Sequence, residues 1–212
     1  YRSITASGTK NISNGHYYRN NSQLKNDDLV LMDYAPDFRY YVSDIGRMWP
    51  VSGTYKPWQR ELLQIILEYR NTILDILRPG ITTDQVLEEA REQMKPLMRK
   101  YQFSKNIYRK AAEKMIATGG GVLSHPVGLA VHDDGPYRNG PLKVGHVFAV
   151  DPQMWVPEEN LYLRYEDTIV ITEEGMENFT DFLPSELNEL EDLVKQEGVL
   201  QTVGADSMRW DY

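Results

Sequence analysis

Three features of the chain predict an α+β fold with antiparallel strands. Apolar runs of strand character sit near both ends: LVLMDY at 29–34, then HVFAVD at 146–151 and YLRYEDTIVIT at 162–172. Between them, residues 56–116 carry apolar residues at helical spacing. Strands gathered at the ends, with helices grouped between, point to hairpins rather than repeated strand–helix alternation. No Pro-, Gly- or Ser-rich stretch is long enough to act as a linker, so a single domain is expected.

The elements follow in order. Residues 29–36 and 41–47 read as a hairpin. From Lys56 to Leu77, apolar residues at Leu62, Ile65, Ile66, Tyr69, Ile73 and Ile76 define a helix that Arg78-Pro79-Gly80 ends. Thr83 is the expected N-cap of a second helix, with Asp84 in its first turn and Val86, Leu87, Ala90 and Met94 on its apolar face. Pro96 should kink that helix or restart it. A third helix is expected over Lys105–Ile116, broken by Gly119-Gly120-Gly121, and Ser185 should cap a last one through Leu187, Leu190 and Val194.

Composition narrows the function. With 41% hydrophobic and 25% charged residues, the 212-residue chain has an ordinary globular make-up and can bury a substantial core. A net charge of -8 without clustered Lys and Arg argues against a nucleic-acid partner. The chain has no cysteine, so a metal site would have to use Asp, Glu and His. No apolar run approaches the roughly 18 residues of a membrane span, and YRSITASG lacks the regions of a signal peptide. A protein without membrane partners, cytoplasmic in location, is the expectation.

Two carboxylates draw attention in the first hairpin. A tight turn at Phe38 and Arg39 would place Asp33 directly opposite Asp44. Cross-strand Cβ atoms lie about 4.5–5.5 Å apart, so two carboxylates there repel unless a cation or a shared proton intervenes. Phe-Arg is not a favoured turn pair, and in another register both aspartates would be turn or edge residues. The second half repeats the pattern, with Asp151 ending one strand and Glu166 inside the next, while SHPVGLAVHDDG supplies His125 and His132. Four carboxylates and one imidazole would hold two divalent cations, and such ligands suit manganese, cobalt, iron or zinc better than calcium.

These motifs as a set resemble the pita-bread metallopeptidases, a family that includes methionine aminopeptidase, aminopeptidase P and prolidase as well as the metal-free creatinase. The resemblance runs from about Ser7 to Val194 and rests on SGTKNISNGHY at 7–17, DIGRMWPVSG at 44–53, LRPGIT at 77–82, SHPVGLAVHDDG, VFAVDPQMW and YLRYEDTIVIT. It implies a pita-bread fold with an antiparallel sheet, helices on one face and two pseudo-twofold halves. The form of DIGRMWPVSG and the Asp44–His125 interval look more like aminopeptidase P and prolidase, which implies cleavage before proline in short Xaa-Pro peptides.

Position by position, the resemblance makes Asp33 a ligand of one metal, Asp44 and Glu166 bridging ligands, and His125 with Asp151 ligands of the second. It implies two divalent ions, Mn2+ foremost with Co2+, Zn2+ or Fe2+ as alternatives, and a water between them as nucleophile. His132 would contact substrate, His16 would assist proton transfer and Arg164 would hydrogen-bond the metal-site carboxylates. It further implies a homodimer, an upstream domain and two helices ahead of SGTKN. Residues 1–212 are accordingly read as a catalytic domain lacking those helices, with the back of its sheet exposed.

The departures are specific. Asp-Pro-Gln at 151–153 stands where active members have Glu-Pro-Gly, and the missing methylene shortens the reach by about 1.5 Å. Gly121 occupies a position usually held by a substrate-contacting His, and Trp155 replaces a Tyr. His146 stands where an apolar residue is usual and is read as packed or exposed. A binding module that retains the fold without hydrolysis therefore stays open beside the peptidase, with a creatinase-like hydrolase as a third reading.

Overall fold

The computed structural model describes residues 2–135, 137–198 and 202. The first half opens with β1 (Ile4–Ser7), a single helical turn α1 (Thr9–Ile12) and β2 (Leu29–Tyr34). A short hairpin of β3 (Asp37–Phe38) and β4 (Tyr41–Val42) follows, then β5 (Ile45–Pro50). β1, β2 and β5 form an antiparallel sheet with β2 in the centre. The turn falls at Arg39 and Tyr40, whose φ angles are 52° and 73°, and not at Phe38 and Arg39 as predicted. Paired positive φ values belong to the mirror-image turns that match strand twist, so twist overrode side-chain preference here.

Three helices come next. In α2 (Pro57–Ile76), Pro57 sits at the first position, where its missing N–H costs nothing, and the Lys56 N–H donates to Gln59 Oε1 at 2.8 Å. α3 (Thr83–Lys100) is capped by Thr82, one residue before the predicted Thr83: its Oγ1 accepts from the Gln85 N–H, and Gln85 Oε1 accepts from the Thr82 N–H. Pro96 lies inside α3, which continues past it to Lys100 without restarting. α4 (Asn106–Thr118) ends at Gly119 in the left-handed conformation. α2 packs on α3 and α4, burying Leu62, Leu63, Ile65, Ile66 and Ile73 in one core. Each such side chain contributes about 1.5–3 kcal/mol.

The second half carries β6 (Val147–Val150), β7 (Gln153–Val156), β8 (Leu161–Arg164), β9 (Asp167–Ile171) and β10 (Met176–Asn178). β10, β9 and β6 form a second three-stranded sheet, while β7 and β8 pair with each other. The predicted continuous strand over 162–172 is interrupted at Tyr165-Glu166. There Glu166 leaves its own sheet and pairs with Gly46, exchanging backbone bonds of 3.0 and 3.1 Å. That bridge joins the two halves. α5 (Leu187–Val194) packs on β5, and its N-cap is Glu186 rather than the predicted Ser185.

Alternation along β2 and β5 sends Asp33 to one face and Met32, Tyr34, Ile45 and Trp49 to the other. This second face forms an apolar groove of about 520 Å³ completed by Leu183 and Leu193. Among the described residues, no helix is long and apolar enough to cross a membrane.

Candidate metal centre

Register decides where the carboxylates go. Asp33 pairs with Gly46 and Tyr34 with Ile45, so Asp33 and Asp44 are diagonal neighbours rather than directly opposed as predicted. The true register differs from the expected one by two residues, and a two-residue shift preserves the sheet face, so both carboxylates still point the same way. Asp44 is fixed through its backbone: its N–H donates to Thr168 Oγ1 at 2.8 Å, and the Thr168 hydroxyl donates to the Asp44 carbonyl at 2.9 Å.

In the second half, Val150 pairs with Asp167 and Gln153 with Arg164, leaving Asp151-Pro152 across from Tyr165-Glu166. Gly46 admits Glu166 to the first sheet because a Cβ there would lie 2.8 Å from the Glu166 Cβ. His125 follows the glycine run after α4, and its carbonyl accepts from the Ala149 N–H at 2.9 Å.

Asp33, Asp44, Asp151 and Glu166 are all buried, with Arg164 as the buried guanidinium among them. Arg164 donates from Nη1 to Asp33 at 3.0 Å, from Nε to Asp151 Oδ1 at 2.9 Å and from Nη2 to Glu166 Oε2. One guanidinium cannot neutralise four carboxylates. Burial, with Asp33 nearby, pushes Asp44 up to about 8. Burial likewise holds Asp151 and Glu166 well above the usual carboxylate range, although Arg164 pulls them down.

The chemistry of the donors settles what fits here. His125 Nδ1 lies 3.1 Å from the Pro126 carbonyl, which can only accept, so Nδ1 carries the proton. Burial lowers the His125 pKa, keeping the ring neutral with its lone pair on Nε2. That lone pair faces Asp44 Oδ2 at 3.4 Å and Glu166 Oε1 at 3.8 Å. Glu166 Oε1 and Asp44 Oδ1 are buried without a hydrogen-bond partner among the described residues. Three acceptors facing one another require a proton or a cation between them, and a divalent cation fits. Two sets of ligand atoms converge closely enough to hold one: Asp33, Asp44 and Glu166, and Asp44, His125 and His132.

His132 and His16 are exposed at the mouth of this cluster. The His132 ring lies 4.1 Å from His125 and 6.4 Å from His16, and burial followed by those two neighbours lowers its pKa. Both histidines line a cavity of about 420 Å³ with Asn14, Gln153, Trp155 and Tyr162. Trp155, 43% exposed, stacks on buried Tyr162 with ring centroids 4.1 Å apart. His146 lies outside the cluster, where its Nδ1 accepts from the Lys143 N–H.

Asp151 is placed differently from the other carboxylates. It lines the cavity, but Oδ1 accepts from Arg164, Oδ2 accepts from the Gln153 amide, and it joins neither converging set. Gly121 permits this arrangement: it has a φ of 77°, and a Cβ there would lie 1.7 Å from the Asp151 carbonyl oxygen and 2.8 Å from Gln153 Cγ. Sequence reasoning missed Gln153 and Gly46. A lone glycine within the apolar run IGRMW was the available signal for the second, and the Asp-Pro-Gln departure marked the first without showing what its side chain meets.

Comparison with known proteins agrees with this geometry. Residues 1–173 match the profile of metallopeptidase family M24. The chain is 35% identical to the Xaa-Pro aminopeptidase of Escherichia coli K12 over 213 residues, covering 92% of this chain and 47% of that protein. It is 31% identical to the mitochondrial Intermediate cleaving peptidase 55 of Arabidopsis thaliana, covering 88% and 39%. Among solved structures, Proline aminopeptidase P II from Yersinia pestis superposes with a TM-score of 0.75 at 32% identity, covering 92% and 48%. The chain thus spans less than half the length of each of these relatives. Two half-sheets bridged at Gly46 and Glu166 are, in these terms, the halves of a pita-bread fold of the aminopeptidase P kind, and the chain belongs to metallopeptidase family M24.

Proposed function

We propose that this chain is the catalytic part of a dinuclear metal-dependent hydrolase that cleaves the peptide bond before proline in Xaa-Pro peptides. The observation that carries the reading is the meeting of His125 Nε2, Asp44 Oδ2 and Glu166 Oε1, three acceptors that need a cation or a proton among them. The names of the relatives, Xaa-Pro aminopeptidases among them, support the substrate class.

Asp33, Asp44, His125 and Glu166 would hold the cations, with Mn2+ the foremost candidate. Cations held there would supply a nucleophilic water at neutral pH and polarise the scissile carbonyl. The chain's own residues do the rest. Arg164 orients Asp33 and Glu166 by hydrogen bonds that bind it to both halves. His16, exposed at the cavity mouth, would assist proton transfer, as the resemblance implies. The Trp155–Tyr162 stack walls one side of the cavity with aromatic surface. The resemblance gives the two remaining places, ligand and substrate contact, to Asp151 and His132 respectively. The same reading expects a cytoplasmic homodimer.

Metal content of protein purified without chelator, read beside hydrolysis of a short Xaa-Pro peptide with added Mn2+, tests the reading. Two cations per chain with proline-dependent cleavage support it. Absence of both overturns it.

A further inference from the structure

We infer that Asp151 and His132 have exchanged the roles the resemblance gives them: the second divalent cation is held by Asp44, His125 and His132, while Asp151 is a positioning residue outside the coordination. This rests on the metallopeptidase reading above.

Three observations lead there. Asp44, His125 and His132 each offer an atom to one converging set, whereas Asp151 belongs to no such set among the described residues. Both Asp151 oxygens are already engaged, by Arg164 Nε and by the Gln153 amide. A carboxylate oxygen has two lone pairs, so this engagement alone would not bar ligation; what sets Asp151 apart is that neither of its oxygens falls within a converging set. The third observation is the unpartnered, fully buried pair of oxygens, Asp44 Oδ1 and Glu166 Oε1, at the junction of the two sets.

The clamp on Asp151 is built from the chain's own departures. Asp151 donates its backbone N–H to the Gly121 carbonyl at 3.0 Å, and Gln153 donates its own to the Gly120 carbonyl at 3.1 Å. With only hydrogen at Gly121, these segments approach closely enough for the Gln153 side chain to lie over that position and reach Asp151. Asp151 in turn accepts from Arg164, which orients Asp33 and Glu166. Asp151 therefore acts on the metal centre through Arg164. The two cation positions then differ in chemistry. Three carboxylates make one oxygen-rich and suited to Mn2+, while two imidazoles and a carboxylate make the other suited to Co2+, Zn2+ or Fe2+.

Calorimetric titration with Mn2+ and Co2+, together with the visible absorption of bound Co2+, on wild type, His132→Ala and Asp151→Asn tests this without substrate. The expected result is that His132→Ala weakens the second cation at least about tenfold and changes the Co2+ spectrum, while Asp151→Asn keeps the wild-type stoichiometry. His132→Ala with unchanged stoichiometry and affinity overturns the assignment, and so does loss of a cation in Asp151→Asn protein that circular dichroism shows to be folded. His132 is exposed, so its variant decides the question even if the buried substitution fails to fold. Wild-type protein that binds no cation overturns the metallopeptidase reading itself, which separates the two failures.

Discussion

Gly46 controls how closely the two halves approach. It pairs with Asp33 on one side and bridges to Glu166 on the other, and the three atoms nearest its missing Cβ all belong to Glu166: Cβ at 2.8 Å, Oε2 at 3.3 Å and N at 3.4 Å. Gly46→Ala must push Glu166 away from Asp33 and Asp44. The expected outcome is a loss of about 1–3 kcal/mol in urea unfolding, as for overpacking elsewhere, with Mn2+ affinity reduced at least about tenfold. Unchanged Mn2+ affinity would show that Glu166 is not held by this contact. Asp33 and Asp151 stood out in the sequence because carboxylates that end apolar runs have few other reasons to be there, whereas Asp44, Glu166 and His125 stood out through their spacing and the motifs that carry the resemblance. Gln153 was not legible in this way, because its meaning lies in a neighbour, Gly121, that meets it only through the fold.

The helices were legible for a different reason. α2, α3 and α4 carry their apolar stripes locally, and their ends moved by only a residue or two from expectation, except that α3 runs past Pro96 to Lys100. Register and the break at Tyr165-Glu166 were hidden because strand pairing is non-local: a short apolar run does not declare its partner. The break is held by a side-chain network that composition does not reveal. Buried Asp167 accepts from Arg47 Nη2 at 2.8 Å, Arg70 Nε at 2.7 Å and Thr180 Oγ1 at 2.6 Å, tying β9 to β5 and α2. Burial would raise the Asp167 pKa, but Arg47 and Arg70 outweigh it and bring it to about 2. Arg47 also donates to the Gly46 and Glu166 carbonyls, at 3.0 and 2.7 Å, and so locks the bridge between the halves. Asp167→Asn keeps the shape but leaves two buried guanidiniums without their counter-charge. Its unfolding free energy should fall by about 3–5 kcal/mol, measured by denaturant titration. A loss below about 1 kcal/mol would mean that water or another acceptor replaces the carboxylate.

The molecule as a whole is two half-sheets bridged by the antiparallel pair Gly46–Glu166, with the acidic cluster astride it. Asp33 and Asp44 come from the first half, His125 and Glu166 from the second, so any cation they share is also a cross-link between the halves. The folded protein would bind that cation and the unfolded chain would not, so stability must rise with its concentration by mass action. At one hundred times the dissociation constant the gain is about 2.7 kcal/mol, which for a chain of this length corresponds to roughly 5–10 °C in Tm. Chelator should therefore lower Tm by that order, and Mn2+ should restore it with a shift that grows as the logarithm of concentration. The carboxylates reinforce the effect, because without a cation their mutual repulsion must be relieved by protons, as the raised pKa values of Asp44, Asp151 and Glu166 express. Differential scanning fluorimetry across a Mn2+ series, with chelator as the starting point, measures this directly. A Tm independent of Mn2+ in protein that demonstrably binds it would mean that the halves are held together without help from the metal centre, by contacts such as those of Arg47, Arg164 and the Gly46–Glu166 bridge.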